Sequence, residues 1–113
     1  MITGNWETGE VFINGELLLP EESLKMRNHS PTGFGWGYGG SGPSQLALAI
    51  LLRFLKKEEA LRLYMQFKWN VISQLPSGEN FELPVQRVTE WIYSTLIKGS
   101  SPKSGAQITE VVI

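Results

Sequence analysis

The sequence predicts a small α+β domain: an N-terminal antiparallel sheet packed on three helices, the first of them apolar and central. Three observations lead there. Asn14-Gly15 lies between the apolar runs Val11–Ile13 and Leu17–Leu18, and both residues tolerate the positive φ that a tight hairpin turn demands. Leu46 to Leu52 is an unbroken apolar run that follows Pro43, long enough for a buried helix and far short of the roughly 20 residues that cross a bilayer. Val85, Val88, Ile92 and Leu96 recur at three- and four-residue spacing, the period of an amphipathic helix.

Taken in order, the first element is a β-hairpin at about residues 9 to 19. Pro20-Glu21-Glu22-Ser23 reads as its end, and Leu24-Lys25-Met26-Arg27 alternates apolar and basic like a short half-buried strand. Asn28 to Gly33 is dense in turn formers. The first helix is expected from Pro43 to about Phe54. Proline suits its first position, Gly42 or Ser41 its N-cap, and Gln45 the acceptor of a capping box. Only Gln45, Ala49 and Arg53 make a thin polar strip on it. The second helix is expected from about Glu58 to Leu75, with Glu59, Arg62, Gln66, Asn70 and Ser73 on one stripe. The third starts near Pro84 and ends with Lys98 and Gly99. These elements place one globular domain at residues 1–99. Residues 100–113 then form a Ser/Pro/Gly linker and a strand-like extension, Ile108 to Ile113, able to join the sheet edge or another chain as a homo-oligomer contact.

At 113 residues and 42% hydrophobic, the chain is sized for one core. Ten basic and eleven acidic residues give a net charge of −1, which argues against a nucleic-acid or membrane footprint. There is no cysteine, every acid is a glutamate, and His29 is the single histidine. That is poor material for a metal site, and no cofactor is expected. The N-terminus has neither the basic lead nor the apolar stretch of a signal peptide, so a cytoplasmic location is expected.

Six of the twelve glycines fall between Gly33 and Gly42. In an extended segment Phe34, Trp36 and Tyr38 would share one face and leave bare backbone on the other. Gly37-Tyr38-Gly39-Gly40-Ser41-Gly42 satisfies G-x-G-x-x-G at a helix start, but the helix runs into another helix, not into a βαβ crossover, which rules out a dinucleotide fold. No lysine follows the last glycine as in a Walker loop, and Pro43 occupies the last position of a nucleophile elbow. What survives is a glycine nest able to cradle an anion, or glycines that let a loop pack tightly on a helix.

Asn28-His29-Ser30-Pro31, the run Trp36-Gly37-Tyr38-Gly39-Gly40-Ser41-Gly42-Pro43, and the apolar helix beginning at Gln45 together resemble a bacterial and phage domain of unknown function. Ala60 to Tyr64 and Phe67-Lys68-Trp69 are similar to it as well, so the likeness spans about residues 11 to 97. It implies a small soluble protein, often carried on phages or mobile elements, with no activity attached. Where relatives often have glutamate between the Phe and the Trp, this chain has Gly35.

The candidate ligand-binding residues are Arg27, Asn28, His29, Trp36, Tyr38, Gly39, Gly40, Ser41, Gly42, Gln45 and Lys68. Arg27, Asn28 and His29 can converge on the helix start if the turn folds back, with Trp36 and Tyr38 as stacking surfaces. The same polar residues could instead satisfy turn backbone groups. Lys68 falls in the middle of the apolar face of the second helix, where a lysine either snorkels to water or meets an anion. His29 with Ser30 or Ser41 could be drawn as a base and nucleophile, but no aspartate exists to orient the ring, so no catalytic residue is assigned. The function expected is a non-catalytic domain that binds a small anionic, nucleotide-like ligand, for example a phage protein sequestering a host signalling nucleotide. The alternative is an interaction module or anti-defence inhibitor that docks on a host protein through the aromatic loop and the C-terminal strand.

Overall fold

The computed structural model describes residues 1–98, which fall into two compact units, residues 1–83 and the segment from Pro84 onward. The linker and strand expected at 100–113 lie outside the described residues. The fold is α+β, as the sequence predicts.

The first unit holds a four-stranded antiparallel sheet of β1 (Ile2–Gly4), β2 (Val11–Ile13), β3 (Glu16–Leu17) and β4 (Phe81–Leu83), in the order β3-β2-β1-β4. The hairpin lies where Asn-Gly puts it, with Asn14 at φ 50° and Gly15 at φ 84°, both in the left-handed region of a type I′ turn. Ile2 pairs with Ile13 and Leu83, and Gly4 with Val11 and Phe81, so these six residues form the buried face. Thr3, Phe12 and Glu82 form the opposite row. β1 and β4 are too short for their alternation to stand out in the sequence; pairing selects them.

Leu24 to Arg27 is not a strand. It lies in α1 (Glu21–Met26), which Pro20 and the acids Glu21 and Glu22 open as a helix start, with the Ser23 hydroxyl donating to Pro20 O at 2.8 Å. The short sheet of the first unit is therefore completed by β1 and β4.

The central helix, α2 (Ser41–Leu51), is buried at every residue from Gly42 to Leu51. It packs against α1 and α3 (Lys57–Asn70). Its N-cap is Gly40, with no side-chain cap, so Gln45 is not the acceptor of a capping box. The second predicted helix stops earlier than its apolar pattern. Val71 leaves helical geometry, and a 3-10 turn follows at Ile72–Gln74. The Ser73 hydroxyl and the Gln74 amide both donate to Trp69 O, at 2.9 and 3.4 Å, in competition with the continuing backbone ladder.

In the second unit α4 spans Val85–Tyr93 and continues as a π-turn, Ser94–Lys98. Val88 is buried, and Val85, Ile92 and Leu96 are half-buried, on the stripe their spacing predicts.

Candidate functional site

The glycine-aromatic segment is not an extended strip. Gly37, at φ 81°, turns the chain and donates its N–H to Ile72 O at 3.0 Å, and a side chain there would meet the Ser77 backbone. Alternation ends at that turn. Trp36 goes into the core at 1% exposure, edge-on to Phe81 with ring centroids 4.8 Å apart, and its Nε1–H donates to Glu79 O at 2.8 Å. Tyr38 stays 46% exposed, so the two aromatics cannot form one stacking face. Trp36 is structural.

Beyond the turn the glycines serve close approach. The Tyr38 hydroxyl stands over Gly35 and Gly42, and the Trp69 ring stands over Gly39. Gly40 has φ −163°, ordinary extended backbone, so residues 39–42 are not a left-handed nest. They bring the start of α2 against the side chain of Trp69 on α3. Gly35 is buried beneath Tyr38 and Pro43, so a side chain at that position would have to displace the Tyr38 hydroxyl.

Gln45 is fully buried and all of its polar atoms are used. Its Oε1 accepts from His29 N at 2.7 Å and Ser30 N at 3.0 Å, while Nε2 donates to Ser23 Oγ and to Arg27 O, both at 2.9 Å. A fully satisfied amide of this kind fixes geometry and has nothing left for a ligand. Its effect is to hold the Arg27–Ser30 turn against α2 and so aim His29 at α3. There the His29 Nε2 lies 2.7 Å from the Tyr64 hydroxyl, not at Ser30 or Ser41, so the serine pairing drawn from the sequence is not formed.

Tyr64 and Lys68 are one helical turn apart on α3 and share its buried face, as the helical step predicts for Lys68. Lys68 is only 5% exposed. Its Nζ lies 4.1 Å from the centroid of the Trp69 ring, a cation–π contact, and no carboxylate pairs with it among the described residues. The one described ion pair is Arg53 with Glu16, at 3.0 Å, elsewhere on the surface. His29 is held below the ordinary histidine range, first by burial, then by the Lys68 ammonium and the Arg27 guanidinium. Among the described residues no acid offsets these cations at the ring.

Arg27, His29 and Lys68 are thus brought into one electrostatic neighbourhood, joined through Trp69 to Gly39, Gly40 and the uncapped, acid-free start of α2 at Ser41. Asn28 and Ser41 are exposed beside them in sequence, and Gly42 is buried. Two residues absent from the sequence reading of the site belong to it, Tyr64 and Trp69. The signal for Tyr64 was its place one turn before Lys68. Trp69 had only its adjacency.

Four clefts of this unit lie away from Lys68. One of about 390 Å³ is lined by Leu18, Leu19, Ser23, Ala49, Leu52 and Arg53, and others lie by Lys56, by Phe34 and by Asn80. None of these four is lined by Arg27 or Lys68.

The family model described as a family of unknown function (DUF6166) matches residues 3–94. The chain belongs to that family. No curated protein and no solved structure matches it. The DUF6166 match covers all of α4 and the whole of the first unit except its first two residues, and therefore every residue of the Lys68 site. No group of metal-ligating side chains occurs among the described residues, and no helix among them is long and apolar enough to cross a membrane.

Proposed function

We propose that this DUF6166 domain is a non-catalytic binding module whose ligand presents an anionic group to Lys68. The observation that carries the reading is Lys68, a lysine only 5% exposed whose described partner is a tryptophan face, with no carboxylate among the described residues. A lysine on a buried helix face ordinarily pairs with a carboxylate or carries its ammonium to the rim of that face, where a ligand can meet it. Arg27 adds a second cation, and the exposed faces of Trp69 and Tyr38, at 55% and 46%, flank the site as stacking surfaces for a ring. Anion plus ring describes a nucleotide-like ligand. His29 spends its Nε2 on a tyrosine, which supports capture over chemistry. In a domain carried by a phage or mobile element, capture of this kind serves to sequester a host signalling nucleotide.

The test is calorimetry with adenosine 5′-monophosphate and with adenosine, on the parent chain and on Lys68→Met. A charge-assisted hydrogen bond contributes about 1.5–3 kcal/mol, or roughly 10- to 100-fold in affinity. The nucleotide is expected to bind the parent and lose at least about tenfold in the variant, while adenosine is indifferent to the change. Equal affinities in both proteins contradict the reading.

One observation favours a second reading. Tyr38, Trp69 and Met65 are all exposed around Gly39–Ser44, a patch of large apolar side chains suited to a protein partner. Binding of that kind tolerates loss of the Lys68 charge and fails when Trp69 is replaced by alanine.

A further inference from the structure

We propose that an anion at Lys68 is bound together with a proton taken up by His29, and that this proton reverses the His29–Tyr64 hydrogen bond so that Tyr64 donates to the anion. The proposal rests on the reading of Lys68 as the anchor of an anionic ligand, and it adds how the site is completed and regulated.

The groups that face His29 are few. Arg27 comes from its own turn, Tyr64 and Lys68 from α3, and Gln45 from α2 contributes only a neutral amide to the His29 backbone. Two of these are fixed cations, and among the described residues none is an acid. A third positive charge on the ring is therefore opposed until an anion binds, and in the neutral tautomer that carries its proton on Nδ1 the ring accepts the Tyr64 O–H across the 2.7 Å between Nε2 and the hydroxyl. In that state Tyr64, which is 6% exposed, has spent its only donor inward.

An anion beside Lys68 changes the balance. It cancels the repulsion between the ring and its two cationic neighbours, so a proton from solvent settles on Nε2. Nε2–H then donates to the Tyr64 oxygen, and the Tyr64 O–H is released to turn along α3 toward the anion one turn away. The bound group thus gains one full charge and one hydroxyl donor in the same step. A doubly charged group, such as the terminal phosphate of a phosphomonoester, gains most from a site that reaches three positive charges.

Sulfate is the probe, because its charge does not change between pH 5 and 8. His29 is the only histidine in the chain, so its ring resonances report without ambiguity. Nuclear magnetic resonance titrations at constant ionic strength are expected to place His29 below the ordinary histidine range without sulfate. With saturating sulfate the midpoint is expected to rise by about one pH unit or more, equivalent to roughly tenfold tighter sulfate binding at acid pH. Tyr64→Phe is expected to weaken sulfate binding more at pH 5.5 than at pH 8, because at pH 8 the hydroxyl is engaged with His29. Sulfate binding that leaves the His29 midpoint unmoved overturns this proposal alone. A Tyr64→Phe loss equal at both pH values overturns the hydrogen-bond reversal. Absence of sulfate binding throughout overturns this proposal and the Lys68 anchor with it.

Discussion

Gln45→Met tests whether one buried amide holds the site together. Methionine nearly matches glutamine in length and volume and fills the same space, but it can replace none of the four hydrogen bonds. The groups left behind differ in what they lose. Ser23 keeps its bond to Pro20 O and so loses little. His29 N, Ser30 N and Arg27 O have no other described partner, and all three bonds are partly buried. Leaving a buried polar group unsatisfied costs about 1–3 kcal/mol, and partial access to water places these at the lower end. Three groups at about 1 kcal/mol each amount to about 3 kcal/mol, a large share of the roughly 5–15 kcal/mol that stabilises a domain. At about 4–8 °C per kcal/mol for a domain of this size, the melting temperature falls by about 12–24 °C. Differential scanning calorimetry on both proteins reads this directly, and the His29 resonances of the variant report whether the turn has left α2. A melting temperature within about 3 °C of the parent refutes the reasoning.

Gly37→Ala meets two obstacles at once, a left-handed φ of 81° and the Ser77 backbone 2.6 Å from the added carbon, and a loss of about 3 kcal/mol in urea unfolding is expected. Gly40→Val meets neither, since Gly40 is extended and only the exposed Tyr38 ring must move, so near-parental stability is expected. Lys68→Met removes a buried cation that has no described carboxylate, and equal or higher thermal stability is expected; a clear loss means that the charge is paired within the fold. Because His29 is held below the ordinary value of 6.5, its neutral form favours the fold. That contribution is full above about pH 6.5 and is lost as the pH falls through the lowered value, so the parent loses stability relative to His29→Gln between pH 7 and pH 5. Parallel profiles for the two proteins contradict this.

How far the sequence reached depends on which interactions are local. The hairpin at Asn14-Gly15, the buried α2 and the stripe of α4 were legible because turn chemistry and periodicity act over a few residues. β1 and β4 were not, because three-residue strands gain their order from partners up to 81 positions away in register. Leu24–Arg27 misled because alternation over four residues is compatible with a short helix as well. In the site, the helical step was enough to place Lys68 on a buried face, and it was equally available for Tyr64. The roles of Gln45 and Trp36 were beyond it. Gln45 looked like a cap, and its bonds run to Ser23, Arg27, His29 and Ser30. Trp36 looked like a neighbour of Tyr38, and one positive φ at Gly37 sends it to the other side.

The central claim is that the buried Lys68 serves an anionic ligand. Native mass spectrometry of the parent and of Lys68→Met, each purified gently from cells in which the protein naturally occurs, tests it most directly. The account predicts that the parent carries a small phosphorylated or carboxylated molecule, released on denaturation, and that the variant does not. The same small molecule on both proteins, or a parent that retains only a protein partner, contradicts it.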